Sequence, residues 1–110
     1  MTKDDYIKIG KIFYVDDYFE VDSLFSESGI REEIEDIFDG EIYYWEDIKG
    51  MPMYYREIDG NFDLELYPDF WVKEIDDKLK VVLEGIYIKE IDYDIKDTYF
   101  YESVIEPRYK

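Results

Sequence analysis

The sequence predicts an α+β domain: an antiparallel sheet of five to seven strands with one helix packed on a face. Three observations carry that expectation. Segments rich in β-branched and aromatic residues, several alternating with charges, make up most of the chain, only one segment clearly repeats its apolar residues at helical spacing, and turn-forming pairs punctuate the rest. The 110 residues fit one domain, 1–110, and no repeat, low-complexity tract or Pro/Gly/Ser linker divides them.

Residues 6–15 come first. Thr2-Lys3-Asp4-Asp5 has the form of a helix capping box, yet Ile7, Ile9, Ile12 and Val15 are β-branched and Gly10 interrupts, so a strand is expected. The helix is expected over 29–38, where Ile30, Ile34, Ile37 and Phe38 fall at i, i+4, i+7 and i+8 on one stripe. Ser28 can cap its start and Asp39-Gly40 can end it, which leaves Glu32, Glu33, Glu35 and Asp36 on the solvent side. A strand follows over 41–46. Asp59-Gly60-Asn61 is a strong turn signal, so 53–58 and 62–66 should pair as a hairpin, with Phe62, Leu64 and Leu66 on one face and Asp63 and Glu65 on the other. Further strands are expected over 70–75, 79–84, 86–91 and 99–104, with Asp76-Asp77-Lys78 as a turn.

Thirty Asp and Glu against thirteen Lys and Arg give a formal charge of −17. Disordered acidic chains are poor in aromatic and β-branched residues; this one carries 13 Tyr, 7 Phe, 2 Trp and 15 Ile, so it should fold. Codon bias does not explain the acidity, because a bias that enriches Ile, Tyr and Lys also enriches Asn, and one Asn stands beside sixteen Asp. Adaptation to high salt fits poorly with ten Lys against three Arg. Without Cys, disulfides, thiolate chemistry and Cys-type zinc sites are excluded. No apolar run approaches the ~18 residues of a membrane span, residues 1–10 carry no signal-peptide pattern, and a cytoplasmic protein is expected. A polyanion is repelled by anionic lipid and by nucleic acid alike, so neither membrane nor direct nucleic-acid binding is expected.

The chain offers little to catalysis. It has no His and no Cys, which removes the common general base and the best nucleophile, and Ser23, Ser26, Ser28 and Ser103 have no obvious activating partner. Asp and Glu alone suffice for glycoside hydrolysis, but a domain of this size has little room for the cleft. Pro68-Asp69 followed by Asp94-Ile95-Lys96 has the form of a metal-dependent nuclease motif. About three Asp/Glu-x-Lys triplets arise by chance in this composition, and three occur, ending at Lys49, Lys78 and Lys96. Asp59, Asn61, Asp63 and Glu65 copy the first four ligand positions of a calcium loop, but Leu64 stands where Gly is needed and Phe70 where Glu is needed. The six glycines do not cluster into a phosphate loop. No enzyme, cofactor or metal is expected.

What remains is recognition. Tyr43-Tyr44-Trp45, Tyr54-Tyr55, Phe70-Trp71 and Tyr99-Phe100-Tyr101 run consecutively, so in strands they must point to opposite faces. One face packs on the helix; the other is left to loops, to solvent or to a partner. A charge of −17 exceeds the magnitude of about 2–8 that suits a small domain and weakens the fold by self-repulsion, a cost that a basic partner would offset. In composition the chain is similar to phage DNA mimics, proteins that block restriction enzymes, CRISPR effectors or other nucleic-acid-binding proteins; the likeness is one of charge and class. It implies a non-catalytic inhibitor that occupies the basic nucleic-acid-binding surface of a target. The alternative is a bacterial immunity protein that neutralises a nuclease toxin. The interface candidates are Glu32, Glu33, Glu35 and Asp36 of the helix and Asp59, Asp63 and Glu65 of the hairpin, on the premise that all are exposed. A homodimer covering the second aromatic face is a third option.

Overall fold

Alternation of side chains does build a sheet. In the computed structural model, which describes residues 4–109, five strands lie in the order β1-β5-β4-β3-β2, every neighbouring pair antiparallel. The strands are β1 (Asp4–Val15), β2 (Glu41–Glu46), β3 (Pro52–Ile58), β4 (Asn61–Ile75) and β5 (Lys78–Glu90); helices α1 (Tyr18–Ser26) and α2 (Ile30–Ile37) separate β1 from β2. The α+β expectation holds, with five strands. Thr2 and Lys3 of the capping-box alternative lie outside the described residues; Asp4 and Asp5 are already strand. Among the described residues no helix is long and apolar enough to cross a membrane.

The hairpin between β3 and β4 turns on Asp59-Gly60, both at positive φ (52° and 83°), the requirement of a tight two-residue turn matched to strand twist. Four of the expected strands merge into two. Segments 62–66 and 70–75 are one strand, β4, and 79–84 with most of 86–91 are one strand, β5. Gly85, which reads as a break, marks a bulge: the register slips so that Asp69 opposes Gly85 and Phe70 opposes Leu83, leaving Glu84 extra. Gly is needed there because a Cβ would meet the Tyr6 ring and the Ile7 carbonyl at 2.4 Å.

Two helices, not one, cover the first face. Residues 16–28, for which no element was expected, contain α1, and its signals are present: Asp17 caps the helix by accepting from the Glu20 amide at 2.9 Å, and the Glu20 carboxylate accepts from the Asp16 amide at 3.1 Å. Val21, Leu24 and Phe25 then fall at i, i+3 and i+4 and are buried. Ser28 does not cap α2 with its side chain; Gly29 holds that position at φ +60°, where a Cβ would lie 2.5 Å from Leu24. Ile30 and Ile34 are fully buried and join Val81, Leu83, Ile86 and Leu66 in the main core. Helix α2 reaches both sheet edges. Its Glu33 pairs with Lys11 of β1 at 2.5 Å, and Arg31 donates to the Ile42 carbonyl of β2 at 2.6 Å. The second contact also occupies a carbonyl on an edge strand.

Gly40, after α2, sits at φ +91° with the Glu57 carbonyl oxygen 2.3 Å from where a Cβ would be. Gly40→Ala should lower stability by about 2–3 kcal/mol through backbone strain and displacement of β3. Urea melts of the two proteins check this; an unchanged midpoint would contradict the close approach.

The expected strand over 99–104 is absent. That segment forms a wide helical turn at Tyr101–Ile105, preceded by a short 3-10 turn at Ile95–Asp97. Thr98 organises the junction, donating to the Ile95 carbonyl at 2.6 Å and accepting from the Tyr101 amide at 3.1 Å. A strand would put Glu102 on the same face as Phe100; the helical turn buries Phe100 and Ile105 and leaves Glu102 exposed. Phe100 is the centre of a second core on the opposite face of the sheet, with Met53, Tyr55 and Ile105. Its ring stacks on Tyr55 at 4.2 Å and meets Tyr43, Trp45 and Phe62 edge-on at 5.8, 5.6 and 5.6 Å. The consecutive aromatics thus split as alternation requires: Tyr44 and Tyr54 face the helices, Tyr43 and Tyr55 face the C-terminal segment.

Candidate interaction surface

The seven candidate carboxylates do not share one environment. On α2, Glu32, Glu35 and Asp36 are exposed. Neighbours three and four residues apart on a helix stand about 5–6 Å apart, the same order as the spacing of charge along a nucleic-acid strand, about one per 3.4 Å of axis. Asp39 and Asp22, both exposed, add acids next to α2 and on α1 that the sequence reading had not singled out. Glu33 is turned toward the sheet edge and tied to Lys11. Glu35 has a looser partner, Arg31 at 3.8 Å. Asp59, in the hairpin turn, is exposed, whereas Asp63 is held by Arg56 through two contacts of 2.9 and 2.5 Å.

Glu65 overturns the premise of exposure. It is 5% exposed, because alternation along β4 carries it to the second face, where the segment after β5 covers it. Its carboxylate accepts from the Tyr67 hydroxyl at 2.7 Å and from the Tyr93 hydroxyl, and Tyr93 lies 3.5 Å from the Tyr55 hydroxyl. A carboxylate satisfied by two tyrosines under a covering segment fastens that segment to the sheet; it is not a contact for a partner. The period-two pattern read the face correctly and could not show that a later segment closes it.

The calcium-like spacing at 59–65 belongs to this same hairpin: Asp59 in the turn, Asp63 on Arg56, Glu65 on its tyrosines. Among the described residues no three acidic, His or Cys side chains converge as a metal site. The nuclease-like residues also fall apart. Asp69 accepts from Tyr6 in mid-sheet, whereas Asp94 caps the 3-10 turn by accepting from the Lys96 amide at 3.0 Å.

The acids toward the C-terminal ends of the helices are not placed to stabilise them. Glu32 and Glu33 suit the positive end of the α2 dipole, but the last turns of α1 and α2 contain no basic residue, and Asp36 and Glu27 stand at their negative ends. A second acidic concentration lines a depression of about 320 Å³ at the opposite end of β4, bordered by Asp16, Asp17, Glu74, Asp76, Asp77 and Lys78. Lys78 reaches Asp16 at 2.6 Å.

The tyrosines form an alkaline limit to the fold. Burial, and then Glu46, push the Tyr44 hydroxyl from its ordinary 10.0 up to about 12; partial burial, and then the bond to Asp69, do the same for Tyr6. Tyr43, Tyr54, Tyr67 and Tyr93 are raised further, each chiefly by burial. Between pH 10 and about 12 the unfolded chain therefore loses protons that the folded chain keeps, so stability present below pH 10 falls as pH climbs through that window. The expected result is one cooperative alkaline transition in which near-ultraviolet dichroism disappears as tyrosinate absorbance rises. Ionisation of these six tyrosines near pH 10 with the fold intact would contradict it.

Compared with protein-family models, curated proteins and solved structures, the chain matches none.

Proposed function

We propose that the protein is a non-catalytic acidic inhibitor that binds the basic, nucleic-acid-binding surface of a target protein as a DNA mimic, in the manner of an anti-restriction, anti-CRISPR or similar anti-defence protein. The observation that carries this reading is the exposed carboxylate row of α2, Glu32, Glu35 and Asp36, continued by Asp39. Glu35 and Asp36, in the last turn, oppose the helix dipole, and all four charges add to a net −17, so the row as a whole costs stability through self-repulsion although Glu32 suits the first turn. Arrayed carboxylates meet Lys and Arg as phosphates do, and the long-range field speeds encounter by about 10- to 1000-fold at low salt. Asp59 lies on the hairpin turn as a second exposed anion.

Capture from host lysate on the immobilised protein, with a salt step and duplex DNA as competitor, tests the reading. A nucleic-acid-binding protein released by DNA is the expected result. A specific partner that DNA leaves bound would instead favour an immunity protein acting beside a toxin's active site. A smear of basic proteins eluting at modest salt would leave the charge without a specific role.

A further inference from the structure

The second face of the sheet is only half covered. The C-terminal segment seals it over β2, β3 and the start of β4, whereas over β1, β5 and the rest of β4 it is open. Tyr6, Trp71 and Tyr87 are 43%, 42% and 48% exposed there. Strand register places them on one face in two groups: the Tyr6 and Tyr87 rings are 4.7 Å apart, and further along Lys80 lies 5.7 Å from the Trp71 ring centre while Trp71 donates to Glu84 at 3.2 Å. Ile12 and Tyr14 join them, because Phe13 and Val15 between and after them point into the main core.

Charge sets this face apart. Alternation brings Lys8, Lys73, Lys80 and Lys89 onto it, since Ile7, Val72, Val81 and Ile88 beside them pack against the helices. The acids that side-chain contacts place there are Asp69, bonded to Tyr6, Glu84, bonded to Trp71, and at its end Asp16, bonded to Lys78. Cations therefore outnumber these anions locally on a chain of net −17.

We infer that this face binds a second copy of the chain, face to face, as an isologous dimer. Two such polyanions repel wherever their acids meet, and this is the surface on which lysines of one copy can stand opposite Asp69 and Glu84 of the other. Two-fold symmetry makes every such contact twice. A basic target is drawn to the acidic helices and repelled by these lysines. A single nucleic-acid strand could stack on such rings, but the field of the whole molecule opposes its approach. From the Tyr6 row to the Tyr14 row, six residues apart on β4, the patch runs about 20 Å and spans three strands, about 14 Å, roughly 300 Å² of flat footprint. That is the size of patch that marks interaction sites, and it sits at the small end for a protein dimer, so the dimer exchanges with monomer. Both acidic helix layers then face outward. The inference does not rest on the proposed target.

Sedimentation of the whole chain across protein and salt concentrations tests it. The expected result is a monomer–dimer equilibrium that tightens as salt screens self-repulsion, the reverse of a complex with a basic target. Tyr14→Glu and Tyr87→Glu should each weaken the dimer on the order of a hundredfold with an unchanged far-ultraviolet spectrum. Ile48→Glu, at a side chain 99% exposed in the β2–β3 turn, should leave it intact. Tryptophan emission should shift to the red on dilution of the wild type but not of Trp71→Phe. A monomer at every concentration and salt would overturn the inference, as would a dimer indifferent to Tyr14→Glu and Tyr87→Glu. Saturable binding of a labelled oligothymidylate, abolished by the same two substitutions, would also overturn it.

Discussion

Phe100→Ala is expected to lower stability by about 3–5 kcal/mol, the usual loss for a large aromatic removed from a packed core. The ring is 1% exposed and touches aromatic side chains from β2, β3 and β4, so its loss leaves a cavity that no single neighbour can fill. The damage should be local at first. The main core on the helix side shares none of these residues, whereas residues 92–109 are held to the sheet by Phe100, Ile105 and the Tyr93–Glu65 bond. Hydrogen exchange in the variant should therefore speed in the C-terminal segment and in β2 before it speeds in β5. Uniform loss of protection across the sheet, or a loss of stability smaller than about 1 kcal/mol, would contradict the placement of this second core.

Reversing Glu32, Glu35, Asp36 and Asp59 together to Lys should abolish partner binding while the protein remains folded. Each reversal shifts the charge by two, taking −17 to −9, and relieves self-repulsion, so thermal stability should hold or rise slightly. Affinity for a basic partner should fall at least on the order of a hundredfold, with the loss of steering visible in the association rate. Glu65→Lys provides the contrast. It changes the charge by the same step but places an ammonium in a site only 5% exposed, facing two tyrosine hydroxyls, and should unfold the C-terminal segment. A folded fourfold variant that binds as the wild type does would refute the placement of the interface on α2 and the hairpin turn.

The sheet was legible because alternation is local. Ile7 and Ile9 against Tyr6 and Lys8, or Leu64 and Leu66 against Glu65, state their faces in a few residues. The expected sharing of one face by Phe62, Leu64 and Leu66 fails, because a register shift at Arg56–Glu57 turns Phe62 into the second core and sets Asp63 on Arg56. The α2 stripe of Ile30 and Ile34 was legible for the same reason, and the exposure of Glu32, Glu35 and Asp36 followed from it. Helix α1 was readable through the Asp17–Glu20 cap and the spacing of Val21, Leu24 and Phe25. What the sequence could not yield depends on distant partners. Glu65 is buried because residues 92–109 fold over it, and nothing near Glu65 encodes that. The aromatic run 99–101 has strand propensity, yet Thr98 and the cavity between Tyr43, Trp45, Tyr55 and Phe62 draw it into a helical turn. Gly85 looks like a chain break until the Tyr6 ring is found lying where its side chain would be. The lysines of the open face are scattered over β1, β4 and β5, so only strand order brings them together.

Direct competition is the most immediate test of the account. A labelled duplex is bound to the captured target, and the wild-type protein is titrated in while fluorescence anisotropy is followed. The expected result is complete displacement of the duplex at a fixed stoichiometry, lost when Glu32, Glu35, Asp36 and Asp59 are reversed and weakened by added salt. A ternary complex, in which the protein binds the target and the duplex stays in place, would contradict mimicry.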